Sequence, residues 1–275
     1  MVRAQKPAFR CLAFAGSFAF VFGLYQPARA ADHWGQMLPN QPTDFIFGYG
    51  SLINTPSRNS TATAPIHAIP VRVSAAFGYV RTWDDRASSG FTALGLARPG
   101  PGMPADTING VVFPVVGEDM TAFDEREQGY ARVEVPRADI QAVSWEQLPP
   151  QGRIWVYIPE KKGKPPGVDL PLPNAAFPLL QSYIDIVIEG GLEYGPSFAR
   201  EIIETTKGWD KFWLDDRVLP RRPWVYDKQY SAVDALLARY APDYAARLLP
   251  EAYARNLPGP KTAAPQPAAP QPAAP

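Results

Sequence analysis

Residues 45–52 are Phe-Ile-Phe-Gly-Tyr-Gly-Ser-Leu, a short aromatic and β-branched strand that runs into a glycine-rich turn. Gly48 and Gly50 flank Tyr49 and free the backbone to turn sharply and expose its N–H groups. Consecutive N–H groups in such a turn form a concave site for a carboxylate or a developing oxyanion, and Ser51 adds a hydroxyl. The same pattern is also typical of an ordinary exit from a strand into a loop, so the turn alone leaves both interpretations open.

The rest of the first half of the chain is also predicted to form strands. Its apolar segments are rich in β-branched and aromatic residues and are separated by Gly, Pro and Ser clusters. They cover residues 66–79, 91–97, 108–115, 130–135 and 153–158.

The second half is predicted to be helical. Residues 177–189 are apolar at helical spacing, and Gly190-Gly191 is predicted to end that helix. Pro196 is expected in the first turn of a helix over 197–206, and residues 231–249 carry one or two more. These patterns predict one α+β domain over residues 44–256, with a curved, mixed, barrel-like sheet and helices packed around it.

One short helix is predicted among the strands, over residues 120–127. Met120, Phe123 and Glu127 fall on one face of it, which should meet the core, so a carboxylate lies on the apolar side at the C-terminal end. Desolvation and the negative end of the helix dipole would both raise its pKa towards the range useful for proton transfer. The alternative is a structural carboxylate that pairs with Arg126, Arg132 or another arginine.

Both ends of the chain are predicted to lie outside the folded domain. Residues 1–30 have a basic start, an apolar run over 12–25 and an Ala28-Arg29-Ala30 cleavage pattern, which predicts a secretory signal peptide and an exported, periplasmic or secreted protein. An uncleaved N-terminal anchor is the alternative. Residues 31–43 form a lead into the domain. Residues 257–275 contain mainly Pro, Ala and Gln, which predicts a semi-extended disordered tail.

The composition disfavours several classes of protein. Residues 1–30 hold four of the 27 basic residues and no acidic ones, so the remainder carries 23 basic and 27 acidic residues, a net charge of −4. Such a chain has no electrostatic reason to bind nucleic acid, and no later segment is apolar enough for stable membrane insertion. With two histidines, and its single cysteine inside residues 1–30, it lacks the usual ligands of a zinc site.

The glycine-rich turn and the carboxylate at position 127 become more informative when their order along the chain is considered. A strand and Tyr49-Gly50-Ser51-Leu52 are followed by several strands and then by Asp124-Glu-Arg126-Glu127-Gln-Gly129-Tyr130. This order resembles the gamma-glutamylcyclotransferase family, including its glutathione-specific ChaC branch. Later residues between 183 and 224 also resemble one branch of that family, so the resemblance spans about residues 44–224.

The resemblance implies a site and a reaction. It implies that Glu127 is the catalytic acid/base, that Tyr49, Gly50, Ser51 and Leu52 form the glutamyl-binding loop, and that Tyr130 follows the catalytic segment. The implied partner is a small gamma-glutamyl amide, from which 5-oxoproline and an amine are released without metal or cofactor. A non-catalytic exported module that keeps the glutamyl pocket is the alternative.

Overall fold

The computed structural model describes residues 41–218, 220 and 230–249. The predicted signal peptide over 1–30 and the predicted tail over 257–275 lie outside the described residues. The strands are β1 Asp44–Gly48, β2 Ile69–Val73, β3 Val80–Ala87, β4 Phe91–Ala97, β5 Ile108–Val115, β6 Tyr130–Glu134, β7 Ile140–Ala142, β8 Arg153–Pro159, β9 Leu179–Leu180 and β10 Trp213–Leu214. The α-helices are α1 Thr55–Asn59, α2 Asp119–Arg126, α3 Gln181–Leu192, α4 Pro196–Thr205 and α5 Tyr230–Tyr240.

The centre of the fold is a mixed six-stranded sheet in the order β6-β8-β1-β5-β2-β7. β1 lies between β8, which runs parallel to it, and β5, which runs antiparallel. β3 and β4 form a separate antiparallel hairpin, and β9 and β10 form a short parallel pair. The α+β class is therefore confirmed. The sheet is open, because its edge strands β6 and β7 do not pair with each other in the described part of the chain.

The predicted strands agree with the structure where the apolar composition and the flanking turn residues indicate the same strand ends. β4 and β5 begin and end at the predicted residues, and β6 and β8 differ from prediction by one residue at one end. β1 begins and ends one residue earlier than the predicted 45–49. The strand predicted over 66–79 was too long, since β2 ends at Val73 and a 3₁₀ turn follows at Ala75–Phe77. β3 and the short β7 were not predicted.

The prediction that Gly190-Gly191 ends the third helix is wrong, because α3 continues to Leu192. A Cβ on Gly190 would lie 2.5 Å from the backbone nitrogen of Asn54, and one on Gly191 would lie 2.9 Å from the Cα of Ala199. The two glycines therefore serve close packing of α3 against its neighbours. The helix also begins later than predicted, at Gln181, because the preceding residues 179 and 180 pair with β10.

Buried side chains from the sheet, α3 and α4 form one continuous core. Nearly every residue of α3 is buried, including the polar residues Gln181, Ser182, Asp185 and Glu189. Its first turn is held by Asp216, whose carboxylate accepts hydrogen bonds from the N–H and hydroxyl of Ser182 at 2.8 and 2.7 Å. None of the helices in the described ranges has the length and apolar character needed to cross a bilayer.

Candidate active site

Glu127 lies at the C-terminal end of α2, one residue after the last helical residue, and its N–H donates to the carbonyl of Phe123 at 2.9 Å. Phe123 is fully buried and anchors the helix by packing on Phe113. This packing turns the Glu127 side chain inward, where it is 16% exposed. Glu127 therefore lies on the core side of its helix, as the apolar spacing of α2 predicts.

Three backbone donors in the turn after β1 have no partner among the described residues. The N–H groups of Gly50, Ser51 and Leu52 donate to no other described residue. They precede and begin a 3₁₀ turn over Ser51–Ile53, whose first N–H groups have no acceptor within the turn. The predicted concave arrangement of donors is thus present, and it suits a carboxylate or a developing oxyanion.

Arg126 joins this turn to Glu127. Its guanidinium donates to the Ser51 hydroxyl at 3.1 Å, to the hydroxyl and carbonyl of Ser57 at 2.9 and 2.6 Å, and to the Thr61 hydroxyl at 2.9 Å. Its Nε lies 3.2 Å from Oε1 of Glu127. The sequence left open whether Glu127 would pair with an arginine or face a pocket, and in the structure it does both.

Glu127 and the turn line the same narrow cavity of about 30 Å³. The other lining groups are mainly aromatic, and the complete lining is Phe47, Gly48, Tyr49, Gly50, Ser51, Leu52, Leu94, Glu127, Tyr130, Tyr157 and Tyr183. A wider groove of about 510 Å³ shares Ser51, Glu127, Tyr130 and Tyr183 with this inner cavity. The five residues predicted to bind or follow the glutamyl group therefore meet Glu127 at one place.

Four tyrosines, Tyr49, Tyr130, Tyr157 and Tyr183, line the cavity together with the carboxylate. The Tyr49 hydroxyl donates to the carbonyl of Tyr157 at 2.8 Å, and the Tyr130 hydroxyl donates to the carbonyl of Leu94 at 3.3 Å. Burial, followed for Tyr49 by the nearby Glu127 carboxylate, raises the pKa of both phenols well above the usual range. Both hydroxyls therefore stay protonated at neutral pH and serve as donors. Tyr183, from the first turn of α3, completes the wall by packing on Trp83.

Arg81 fixes the turn from behind. Its fully buried guanidinium donates to the carbonyls of Tyr49 at 3.3 Å and Asn109 at 2.7 Å and to the hydroxyls of Thr205 and Thr206 at 2.8 and 2.9 Å. Burial lowers its pKa to about 9, which leaves it charged at neutral pH. Because a trans peptide points its C=O and N–H in opposite directions, this bond to Tyr49 turns the following N–H, that of Gly50, away from Arg81.

Two buried charged residues near the site hold backbone groups in place. Asp119 is 1% exposed, and its Oδ1 accepts a hydrogen bond from the N–H of Thr63 at 3.0 Å. Arg58 is buried and donates to the carbonyls of Leu52 and Ile53 at 2.9 Å each. Each forms hydrogen bonds with backbone groups of a neighbouring loop. The alternation of polar and apolar residues in the sequence does not predict such partners.

Two further carboxylates near the site were not predicted. The pairing of β3 with β4 shifts register between Trp83 and Asp85, as at a β-bulge, and such irregularities change the direction of side chains. Asp85 lines the outer groove, whereas Asp84 is 2% exposed, with no hydrogen-bond partner for either oxygen among the described residues. Burial, followed by the proximity of Asp85, raises the pKa of Asp84 well above its ordinary value.

The fold and the site together define an α+β protein with an acidic, tyrosine-lined pocket at the end of a central strand. Solved structures similar to this chain include a gamma-glutamyl cyclotransferase, at 15% identity and a TM-score of 0.40, over 57% of this chain and 85% of that one. A gamma-glutamyl cyclotransferase from yeast specific to glutathione matches at 16% identity and a TM-score of 0.33, over 73% of this chain and 98% of that one. An uncharacterized protein from Homo sapiens matches at 16% identity and a TM-score of 0.38, over 57% and 85% of the two chains. No protein-family model and no curated protein matches the chain.

Proposed function

We propose that this chain is a gamma-glutamyl cyclotransferase that releases 5-oxoproline and an amine from a gamma-glutamyl amide, with Glu127 as the acid/base. The observation that carries the proposal is the shared cavity: the Glu127 carboxylate and the turn of Tyr49–Leu52 line one narrow space. The family resemblance of the two segments gives the reaction class, and the geometry gives each group a task.

The reaction needs no nucleophile from the protein. The α-amine of the glutamyl group attacks its own side-chain carbonyl carbon, and a C–N bond closes the five-membered ring. The bond from that carbon to the leaving nitrogen then breaks. One proton leaves the α-amine and one reaches the leaving nitrogen, so atoms balance without water. Holding the chain curled removes much of the entropic barrier, which in favourable intramolecular reactions reaches about 7–11 kcal/mol.

Glu127 is the group suited to move that proton. It accepts a proton from the α-amine and returns it to the leaving nitrogen, a role that contributes about 10²–10⁴-fold in rate. Arg126 fixes the carboxylate through its Nε at 3.2 Å and joins it to Ser51. This contact positions Glu127 without closing the cavity, since the carboxylate still lines both the inner cavity and the outer groove.

The turn suits the anionic part of the substrate. Gly50, Ser51 and Leu52 offer three N–H groups that no described residue accepts. These donors bind the α-carboxylate of the glutamyl group or the oxyanion that develops on the attacked carbonyl. Tyr49 and Tyr130, whose hydroxyls donate to the carbonyls of Tyr157 and Leu94, add an aromatic wall that limits access of water.

The test is the release of 5-oxoproline from gamma-glutamyl amides by the purified chain and its Glu127→Gln variant. The variant keeps the shape of the side chain, so we expect an unchanged unfolding midpoint and a loss of turnover of at least about 10²-fold. Near wild-type turnover in Glu127→Gln would refute the assignment. If the wild-type chain binds the amides in calorimetry and releases no product, it is a binding module and the catalytic proposal is wrong.

A further inference from the structure

Asp85 supplies a second carboxylate to the outer groove, and the proposed reaction does not use it. It lies on β3 directly after the register shift and lines the groove together with Glu127 and Tyr130. Burial raises the pKa of Asp85, and the nearby Tyr130 side chain opposes that shift. No cationic side chain contributes to this shift, so the Asp85 carboxylate has no partner for its charge in the described part of the chain.

The groove as a whole is acidic. Among the described residues that line it, Arg126 is the one cation, against the two carboxylates of Asp85 and Glu127. The Arg126 guanidinium is already engaged by Ser51, Ser57, Thr61 and Glu127. The remaining polar lining consists of hydroxyl and amide groups from Ser60, Thr61, Ser88, Ser89 and Gln128. A substrate carboxylate would find no available cation there, whereas an ammonium group would find acceptors on several sides.

The sizes of the inner cavity and the outer groove indicate which part of a substrate each could hold. The inner cavity, at about 30 Å³, has room for only the reacting end of a glutamyl chain near the turn and Glu127. The outer groove of about 510 Å³ is the space left for the amine that departs. Asp85 belongs to the outer groove and does not line the inner cavity.

We infer that Asp85 binds a positive charge on the leaving amine, so that the substrates are gamma-glutamyl amides of diamines or of other amines that keep a second ammonium group. This inference rests on the proposed cyclotransferase function and adds the substrate class to it. The ammonium group donates to the Asp85 carboxylate, which lines the groove beside Tyr130. The bound charge offsets the cost of holding Asp85 ionised in a half-buried place.

Three substrates of different charge test the inference. They are the gamma-glutamyl amides of 1,4-diaminobutane, which is cationic, of butylamine, which is neutral, and of glycine, which is anionic. For the wild-type chain we expect kcat/KM to fall in that order. The Asp85→Asn variant should lose about tenfold on the diamine amide, as when a hydrogen bond to a charged group is removed. It should stay within about twofold on the butylamine amide. Glu125 is an exposed carboxylate that does not line the groove, so the control variant Glu125→Gln should change the turnover of neither amide.

The outcomes separate this inference from the proposed function. Three outcomes would overturn the role of Asp85 and leave the cyclotransferase proposal standing. They are equal turnover of all three amides, a preference for the glycine amide, and an equal loss on charged and neutral amides in Asp85→Asn. If no amide is turned over, the proposed function fails. Calorimetry with free 1,4-diaminobutane then tests the cation site without turnover. The inference requires that the diamine binds the wild-type chain, binds Asp85→Asn more weakly, and binds Glu125→Gln unchanged. Absence of that binding refutes the inference.

Discussion

Substitution by alanine is predicted to have opposite effects at Gly48 and Gly50, the two glycines around Tyr49. A Cβ on Gly48 would lie 2.7 Å from the Cβ of Leu52, closer than side chains can approach. A Cβ on Gly50 would lie 3.4 Å from the hydroxyl of Tyr183 and 3.6 Å from the Cβ of Leu94, which are ordinary contacts. Gly48→Ala therefore overpacks the core, whereas Gly50→Ala adds a methyl group to the wall of the candidate site.

The expected magnitudes follow from these distances. Overpacking costs about 1–3 kcal/mol, so Gly48→Ala should lower the unfolding midpoint by about 2–12 °C at about 2–4 °C per kcal/mol for a domain of this size. Gly50→Ala should stay within about 1 kcal/mol of wild type, since added contacts and reduced freedom of the unfolded chain offset small strain. Its methyl group would lie beside Tyr183 and Leu94, which both line the inner cavity, so it narrows that space.

The assay pairs denaturant unfolding with steady-state kinetics on a gamma-glutamyl amide. Gly50→Ala should raise KM or lower kcat/KM by about tenfold or more, equivalent to about 1.4 kcal/mol of lost binding, while its unfolding free energy hardly changes. Gly48→Ala should show the reverse pattern, with lost stability and a smaller kinetic effect in the folded fraction. Wild-type kinetics in Gly50→Ala would refute the role of the inner cavity, and wild-type stability in Gly48→Ala would refute the packing argument.

Two further predictions concern stability away from the reaction. The pKa of Asp84 is raised in the folded state, which therefore binds the proton more tightly than the unfolded chain does. The stability that this proton contributes is complete below the ordinary pKa of 3.8 and falls as pH rises towards the folded pKa. The stability of Asp84→Asn relative to wild type should therefore increase from pH 4 to pH 7 in denaturant titrations, and an equal difference at the two pH values would contradict this. Arg217 pairs with the buried Asp185 at 2.7 Å and with Asp234 at 2.9 Å, so Arg217→Met should cost about 3–5 kcal/mol by calorimetry. The exposed pair of Arg200 with Glu204 provides the control, since solvent screens it and Arg200→Met should cost far less than Arg217→Met. Equal losses in the two variants would reject the account.

The parts of the fold that could be predicted are those encoded by neighbouring residues. β4 and β5 are mainly apolar and lie between turn residues, so both ends were found. The inward direction of Glu127 follows from its spacing to Phe123, which is buried as expected. Pro196 begins α4 as predicted, because its fixed φ and missing N–H suit the first turn.

The parts that could not be predicted depend on contacts between distant segments. The polar composition of Asp84-Asp85-Arg86 hid the end of β3, and the register shift that separates the two aspartates arises only on pairing with β4. Gly190 is indistinguishable from a helix stop until the backbone of Asn54 lies against it. The site shows both cases: the turn and Glu127 were found from local motifs, and Asp85 was not, because the pairing of β3 brings it to the groove.

The most direct test of the central claim follows the oxygen atoms of the product in ¹⁸O-labelled water. Intramolecular attack at the site of Glu127 uses no water, so the wild-type chain should convert a gamma-glutamyl amide to 5-oxoproline without ¹⁸O, and Glu127→Gln should form almost none. Glutamate that carries ¹⁸O, or equal amounts of 5-oxoproline from both proteins, would contradict it.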